Sequence, residues 1–178
     1  MSRCEERDEG KKRVQRRRPR RKLKELRIAW CNVRKALAPH VTLLEVCWKE
    51  GVDVVQVQEP WTRPDTKTQN HTGYESYAPV DSWVKEDERP RVMTYVRKNS
   101  RIKAQQRRPV SSRDILWLDV NGYTLLNVYR EPGRDEVIDY VTNLTPPNKS
   151  LIGGDWNVWH PEFEPGVEGR NRGADLAR

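Results

Sequence analysis

At 178 residues the chain is long enough to bury one core, and with 35% hydrophobic and 34% charged residues it is polar for a folded domain. Its three cysteines, Cys4, Cys31 and Cys47, show no CxxC or Cys/His spacing, which argues against a disulfide scaffold or a zinc site and fits a reducing compartment; no apolar run reaches the roughly 18 residues of a membrane helix, and no apolar segment of a secretory signal follows the charged N-terminus. The net charge of +8 sits at one end: residues 1–27 hold 13 basic against 5 acidic residues, and residues 28–178 balance 21 against 21.

The run KKRVQRRRPRRKLK has almost nothing apolar to anchor it, so residues 1–25 are expected to be a disordered basic arm. Arg16, Arg17, Arg18, Arg20, Arg21 and Lys22 would attract phosphate backbones without reading sequence. The same cluster would pass as a nuclear-localisation signal; a solubilising tail or a misplaced start codon are the plainer alternatives. A nuclear location is therefore expected, and otherwise a cytoplasmic one.

From residue 26 the pattern changes. Residues 26–30 alternate as a first strand, residues 39–49 carry apolar groups at helical spacing, and residues 52–57 are a second strand, so a strand–helix–strand unit opens the domain. Residues 60–90 are rich in Pro, Asp, Thr and Lys and read as a long surface loop with at most a short strand at 74–77. Strands are expected over 91–97, 102–107, 115–120 and 123–129, the last two joined by Asn121-Gly122, a type I′ hairpin signal. A helix over 136–144 and a strand over 150–155 complete the series, which suggests two packed sheets with helices outside.

Three of these strands end in residues that carry chemistry. Residues 150–155 run through Gly153 and Gly154 into Asp155, with Asn157 two residues on; in extended chain these two side chains would face the same space. Glu59 follows the apolar strand 52–57 directly, and Pro60 stops the pairing. Asn32 stands just past the strand 26–30. Singly, each has a bland reading: a Gly-Asp turn, a surface glutamate, a turn asparagine. Together they are oxygen donors that suit Mg²⁺, with Mn²⁺ as the alternative ion, and that do not suit zinc. Such a site would polarise a phosphodiester.

The segments LRIAWCNV, VVQVQEPW, RVMTYVRK, LLNVYREP, GGDWNVWHP and NRGADLAR, in that order, resemble the endonuclease/exonuclease/phosphatase superfamily, and within it the apurinic-like endonuclease domains of LINE-type (non-LTR) retrotransposons. The resemblance covers about residues 26–178. It implies an α+β fold, a DNase I-like four-layer α/β/β/α sandwich, and a DNA-nicking phosphodiester hydrolysis. Carried across by position, Glu59 would be the principal Mg²⁺ ligand with Asn32 beside it, and Asp155 would orient or deprotonate the attacking water. Asn157 would hold Asp155 and the scissile phosphate, and Tyr129 would lie near that phosphate or else serve as a core aromatic. The implied partner is DNA, with RNA as an alternative and no membrane; in such elements the new 3′-hydroxyl primes a reverse transcriptase of the same polyprotein.

Departures from the family pattern also shape the expectation. Trp156 replaces the usual Phe, and YREP lacks the asparagine that many relatives place after the proline. His160 follows the Asp-x-Asn motif without being the family's catalytic histidine. The sequence reaches Arg178 before a Ser-Asp-His-type motif, so the domain is expected to be incomplete at its C-terminus and weak or inactive alone. Two other readings remain: a non-enzymatic nucleic-acid-binding remnant acting through the arm, and a phosphatase of the same superfamily.

Overall fold

The computed structural model describes residues 25–99, 101–170 and 172–177. The basic arm, and with it Arg16, Arg17, Arg18, Arg20, Arg21 and Lys22, lies outside these residues. The described chain opens with β1 (Ile28–Asn32), α1 (Leu37–Lys49) and β2 (Val54–Gln58). β1 and β2 pair in parallel with Asn32 opposite Gln58, the arrangement that a crossover helix permits. α1 begins before Pro39 because a proline in the first helical turn lacks only an N–H that has no partner there.

Residues 60–90 hold more structure than their composition suggests. The two-residue strands β3 (Thr62–Arg63) and β4 (Lys67–Thr68) form a small hairpin, β5 (Tyr74–Tyr77) is the expected short strand, and a 3-10 helix covers Glu86–Glu88. Trp83 anchors this segment: it is buried, and its indole N–H donates to the Arg63 carbonyl at 2.9 Å. Next come β6 (Val92–Arg97), β7 (Ala104–Arg107), β8 (Ile115–Val120), β9 (Tyr123–Tyr129), α2 (Glu136–Thr142), β10 (Ser150–Asp155) and α3 (Gly173–Leu176). β7 starts two residues late because Ile102 N–H is taken by the Asn99 carbonyl in a turn. α2 stops two residues early, where the Asn143 side chain reaches back to the Asp139 carbonyl. Asn121 and Gly122 both have positive φ, as a type I′ turn requires.

Two four-stranded sheets result, ordered β1-β2-β6-β5 and β10-β9-β8-β7. Strand period places every second residue on one face. Val55, Val57, Met93 and Tyr95 pack outward against Leu44 and Cys47 of α1. Trp117, Leu126 and Val128 pack outward against Val137 and Tyr140 of α2. Val54, Val96, Leu118 and Leu125 meet between the sheets. The layers are therefore helix, sheet, sheet, helix: the α+β sandwich expected from the sequence.

The space between the sheets is not wholly apolar. Gln58 Nε2 donates to Asn127 Oδ1 at 2.6 Å, and Asn127 Nδ2 donates to the Met93 carbonyl at 2.9 Å. All three residues are buried, so these bonds are made away from water, where their loss would leave polar groups orphaned. This bridge fixes one sheet against the other one residue before Glu59.

Candidate active site

Inward-facing parity puts Asn32, Gln58, Tyr129 and Asp155 at the last positions of β1, β2, β9 and β10. Register joins them in pairs, Asn32 with Gln58 and Asp155 with Tyr129. Hydrogen bonds then close the gap between sheets. Asn32 Nδ2 donates to Asp155 Oδ2 at 2.7 Å, and the Tyr129 hydroxyl donates to Glu59 Oε1 at 3.0 Å. Asn32, Glu59, Tyr129 and Asp155 thus gather at one rim of the sandwich.

Local backbone geometry aims each group. Glu59 leaves β2 with φ +47, its N–H donating to the Arg91 carbonyl and its carbonyl accepting from Lys35 N–H at 2.7 Å. That left-handed conformation is unusual for a glutamate and is held by bonds on both sides. Arg34 and Lys35 also have positive φ, and Arg34 N–H donates to Asn32 Oδ1 at 2.7 Å. This fixes the amide so that its nitrogen, not its oxygen, meets Asp155. Burial, then the hydrogen bond and charge of Glu59 and the charge of Asp155, push the Tyr129 phenol above its ordinary value, so it remains a donor.

The two glycines of β10 allow the approach. A Cβ on Gly153 would lie 3.2 Å from Gln56 Oε1 in the opposite sheet. At Gly154, where φ is +155, it would lie 2.0 Å from the Val128 carbonyl oxygen, a distance no side chain tolerates.

Asn157 corrects one expectation. The strand ends at Asp155 and Asn157 has φ +47, so the two side chains do not share a face by extended alternation. Instead the Asn157 N–H donates to Asp155 Oδ1 at 3.2 Å, a turn closed by the aspartate side chain, and Asn157 Nδ2 donates to the Arg130 carbonyl at 2.7 Å. Asn157 holds Asp155 through its backbone. Arg130, which the sequence reading passed over, completes this joint. It is buried, its N–H donates to the Asp155 carbonyl, and its guanidinium binds the Asn157 carbonyl at 2.9 Å and Asp135 at 2.8 Å. A charged residue directly after an apolar strand was the available signal.

The three histidines are engaged elsewhere. His40 Nδ1 accepts the Trp61 N–H, His71 pairs with Glu45 at 3.5 Å, and His160 Nδ1 accepts the Glu162 N–H. Among the described residues no group of three or more His, Cys, Asp or Glu is placed to hold a metal. The donors at the rim are instead the Glu59 and Asp155 carboxylates and the Asn32 amide oxygen. Few hard oxygen ligands fit Mg²⁺, which keeps water and substrate oxygens in its shell, and do not fit zinc. Beside Glu59 and Tyr129 opens a cavity of about 510 Å³, walled in part by Lys35, Trp61, Arg89 and Arg113.

No protein-family model matches the chain, and no curated protein matches it. Among solved structures, the endonuclease domain of TRAS1, a telomere-specific non-LTR retrotransposon, aligns with a TM-score of 0.66 at 18% identity, covering 86% of this chain and 68% of that one. The chain has the DNase I-like fold. Two structures of TDP2 from D. rerio also align with the chain. The form humanised by 14 mutations has a TM-score of 0.48 at 16% identity over 83% of this chain and 68% of its own. The complex with a single-strand DNA product has 0.49 at 15% identity over 78% and 63%. The fold inferred from six short motifs is thus borne out by coordinates.

Proposed function

We propose that the chain is a Mg²⁺-dependent phosphodiester hydrolase that nicks DNA, of the kind carried by non-LTR retrotransposons. The observation that carries this reading is the meeting of four strand ends, with Asn32 bonded to Asp155 at 2.7 Å and Tyr129 to Glu59 at 3.0 Å. Glu59, with the Asn32 amide oxygen, would hold the cation. Once bound, that ion would polarise the phosphodiester and stabilise the charge that develops on its oxygens. Asp155 is steadied by Asn32 and by the Asn157 N–H, and it would accept the proton of the attacking water. Tyr129, kept protonated, has a single O–H and would turn it from Glu59 to a phosphate oxygen when substrate is bound. As water bonds to phosphorus the P–O3′ bond would break, and the departing 3′-oxygen, protonated from solvent, would become a 3′-hydroxyl opposite a 5′-phosphate. In a retroelement that end would prime a reverse transcriptase.

Because His40, His71 and His160 are all occupied away from this rim, no imidazole assists here, and slow nicking is expected of the isolated chain. Cation binding is accordingly the more sensitive test. Mn²⁺ binding followed by electron paramagnetic resonance should weaken at least about tenfold in Glu59→Ala, the cost of removing the one anionic ligand that carries the ion. Any Mg²⁺-dependent nicking of supercoiled plasmid should vanish in the same variant. Equal Mn²⁺ affinity in wild type and variant, or nicking that survives the substitution, would overturn the reading.

A further inference from the structure

The cavity beside Glu59 contains groups that the proposed hydrolysis does not use. Of its arginines, Arg91 is neutralised by Asp114 and Glu131, and Arg113 donates to the carbonyls of Glu86 and Asp87. Arg89 differs. Its Nε is buried with no hydrogen-bond partner, and among the described residues its guanidinium meets no acceptor. A half-buried cation left unsatisfied is costly unless an anion completes it. Lys35 lines the same cavity on the Glu59 side and its ammonium is likewise unpaired among the described residues.

Trp61 supplies a second, independent feature. Both its backbone groups are clamped: its N–H donates to His40 Nδ1 at 3.2 Å, and its carbonyl accepts from Thr68 Oγ1 at 3.0 Å. The main chain of Trp61 is therefore held at the cavity wall, next to Pro60. Trp83 and Trp117 commit their indole N–H groups to protein acceptors, whereas that of Trp61 has no partner among the described residues. An aromatic residue lining the same cavity as an unsatisfied guanidinium is a combination that holds single nucleotides, the ring stacking a base and the cation taking its phosphate. A volume of about 510 Å³ admits a ligand of that size. The carboxylates of Glu86 and Asp87 also line the wall, and they disfavour more than one phosphate there.

We infer that this cavity is a nucleotide subsite. It binds one nucleotide of the DNA strand next to the scissile phosphate, with the base on Trp61 and the phosphate between Arg89 and Lys35. The inference rests on the proposed phosphodiester chemistry for its place in the reaction, but not for the binding itself.

The test uses the full chain with EDTA present, so that the cation site contributes nothing, and follows a fluorescein-labelled trithymidylate by anisotropy. Wild type should bind. Arg89→Ala and Trp61→Leu should each weaken binding about tenfold, Arg89→Lys should recover part of the loss, and Arg108→Ala, whose partner is Asp81 on an exposed surface, should match wild type. Arg89→Ala breaks no side-chain hydrogen bond among the described residues, and a urea midpoint matching wild type shows that the fold is kept. Absence of wild-type binding, or affinities for Arg89→Ala and Trp61→Leu within about twofold of wild type, would overturn the subsite. The two proposals fail separately. Trinucleotide binding that depends on Arg89 and Trp61, in a protein whose Mn²⁺ affinity ignores Glu59→Ala, would leave the subsite standing and sink the hydrolase.

Discussion

His40 lies wholly buried in α1, edge-on to Tyr95, with its Nδ1 accepting the Trp61 N–H. That bond places its proton on Nε2, which is buried and has no acceptor among the described residues. Burial lowers the imidazole pKa to about 4 from an ordinary 6.5. Between those values the unfolded chain binds a proton that the folded chain refuses. His40 therefore contributes full stability above about pH 6.5 and loses it as pH falls toward 4, about 3 kcal/mol in all. Urea unfolding at about pH 7.5 and about pH 4.5 should show a larger drop for wild type than for His40→Gln; equal drops would mean that the imidazole charges inside the fold. Charging would also turn Nδ1 into a donor facing the Trp61 N–H, so acid should loosen the nucleotide wall. Little of this was legible in the sequence, because His40 and Trp61 are 21 positions apart. Asn32, Glu59 and Asp155 were legible, since each breaks an apolar run with a hard oxygen donor. The turn at Asn157 was legible only as the bland alternative, since asparagine serves in extended chain as well as in the left-handed region it adopts at φ +47.

At the scale of elements, β10 decides whether the site closes. The Gly154 conformation and its contact with the Val128 carbonyl leave no room for a methyl group, so Gly154→Ala must move β10 away from β9. Overpacking of this kind costs about 2–3 kcal/mol, readable as a lower urea midpoint with an unchanged slope. Gly153→Ala should cost less, because its neighbour is the Gln56 side chain at 3.2 Å, which can rotate. Similar costs for both would show that backbone crowding is not the reason for the pair. The long strands were readable from apolar alternation, and the type I′ turn from Asn121-Gly122. β3 and β4 were not, since Thr62–Arg63 and Lys67–Thr68 are too short and too polar to show a period. They exist because Trp83 buries itself beneath them, a tertiary contact that local pattern does not encode.

Across the whole molecule, charge is divided between two regions. The excess of positive charge belongs to residues 1–27, and the folded body offsets its own cations. Arg91 pairs with Asp114 and Glu131, Arg107 with Asp119, Arg108 with Asp81, and Arg172 with Asp139 and Asp175. With the body's charges balanced, long-range attraction to a DNA duplex is expected from the arm. Each phosphate neutralised releases counterions and contributes roughly 0.9 to the slope of log affinity against log salt. Deleting residues 1–24 should therefore lower duplex affinity by more than about tenfold at about 50 mM salt and reduce that slope by several units. A urea transition that stays in place would show that residues 25–178 fold without the arm. Trinucleotide binding at Arg89 and Trp61 should survive the same deletion, since it depends on a cavity and not on net charge. A slope that persists without the arm would place the phosphate contacts on the body, and the neutral charge balance of residues 28–178 would then be a poor guide to where DNA sits.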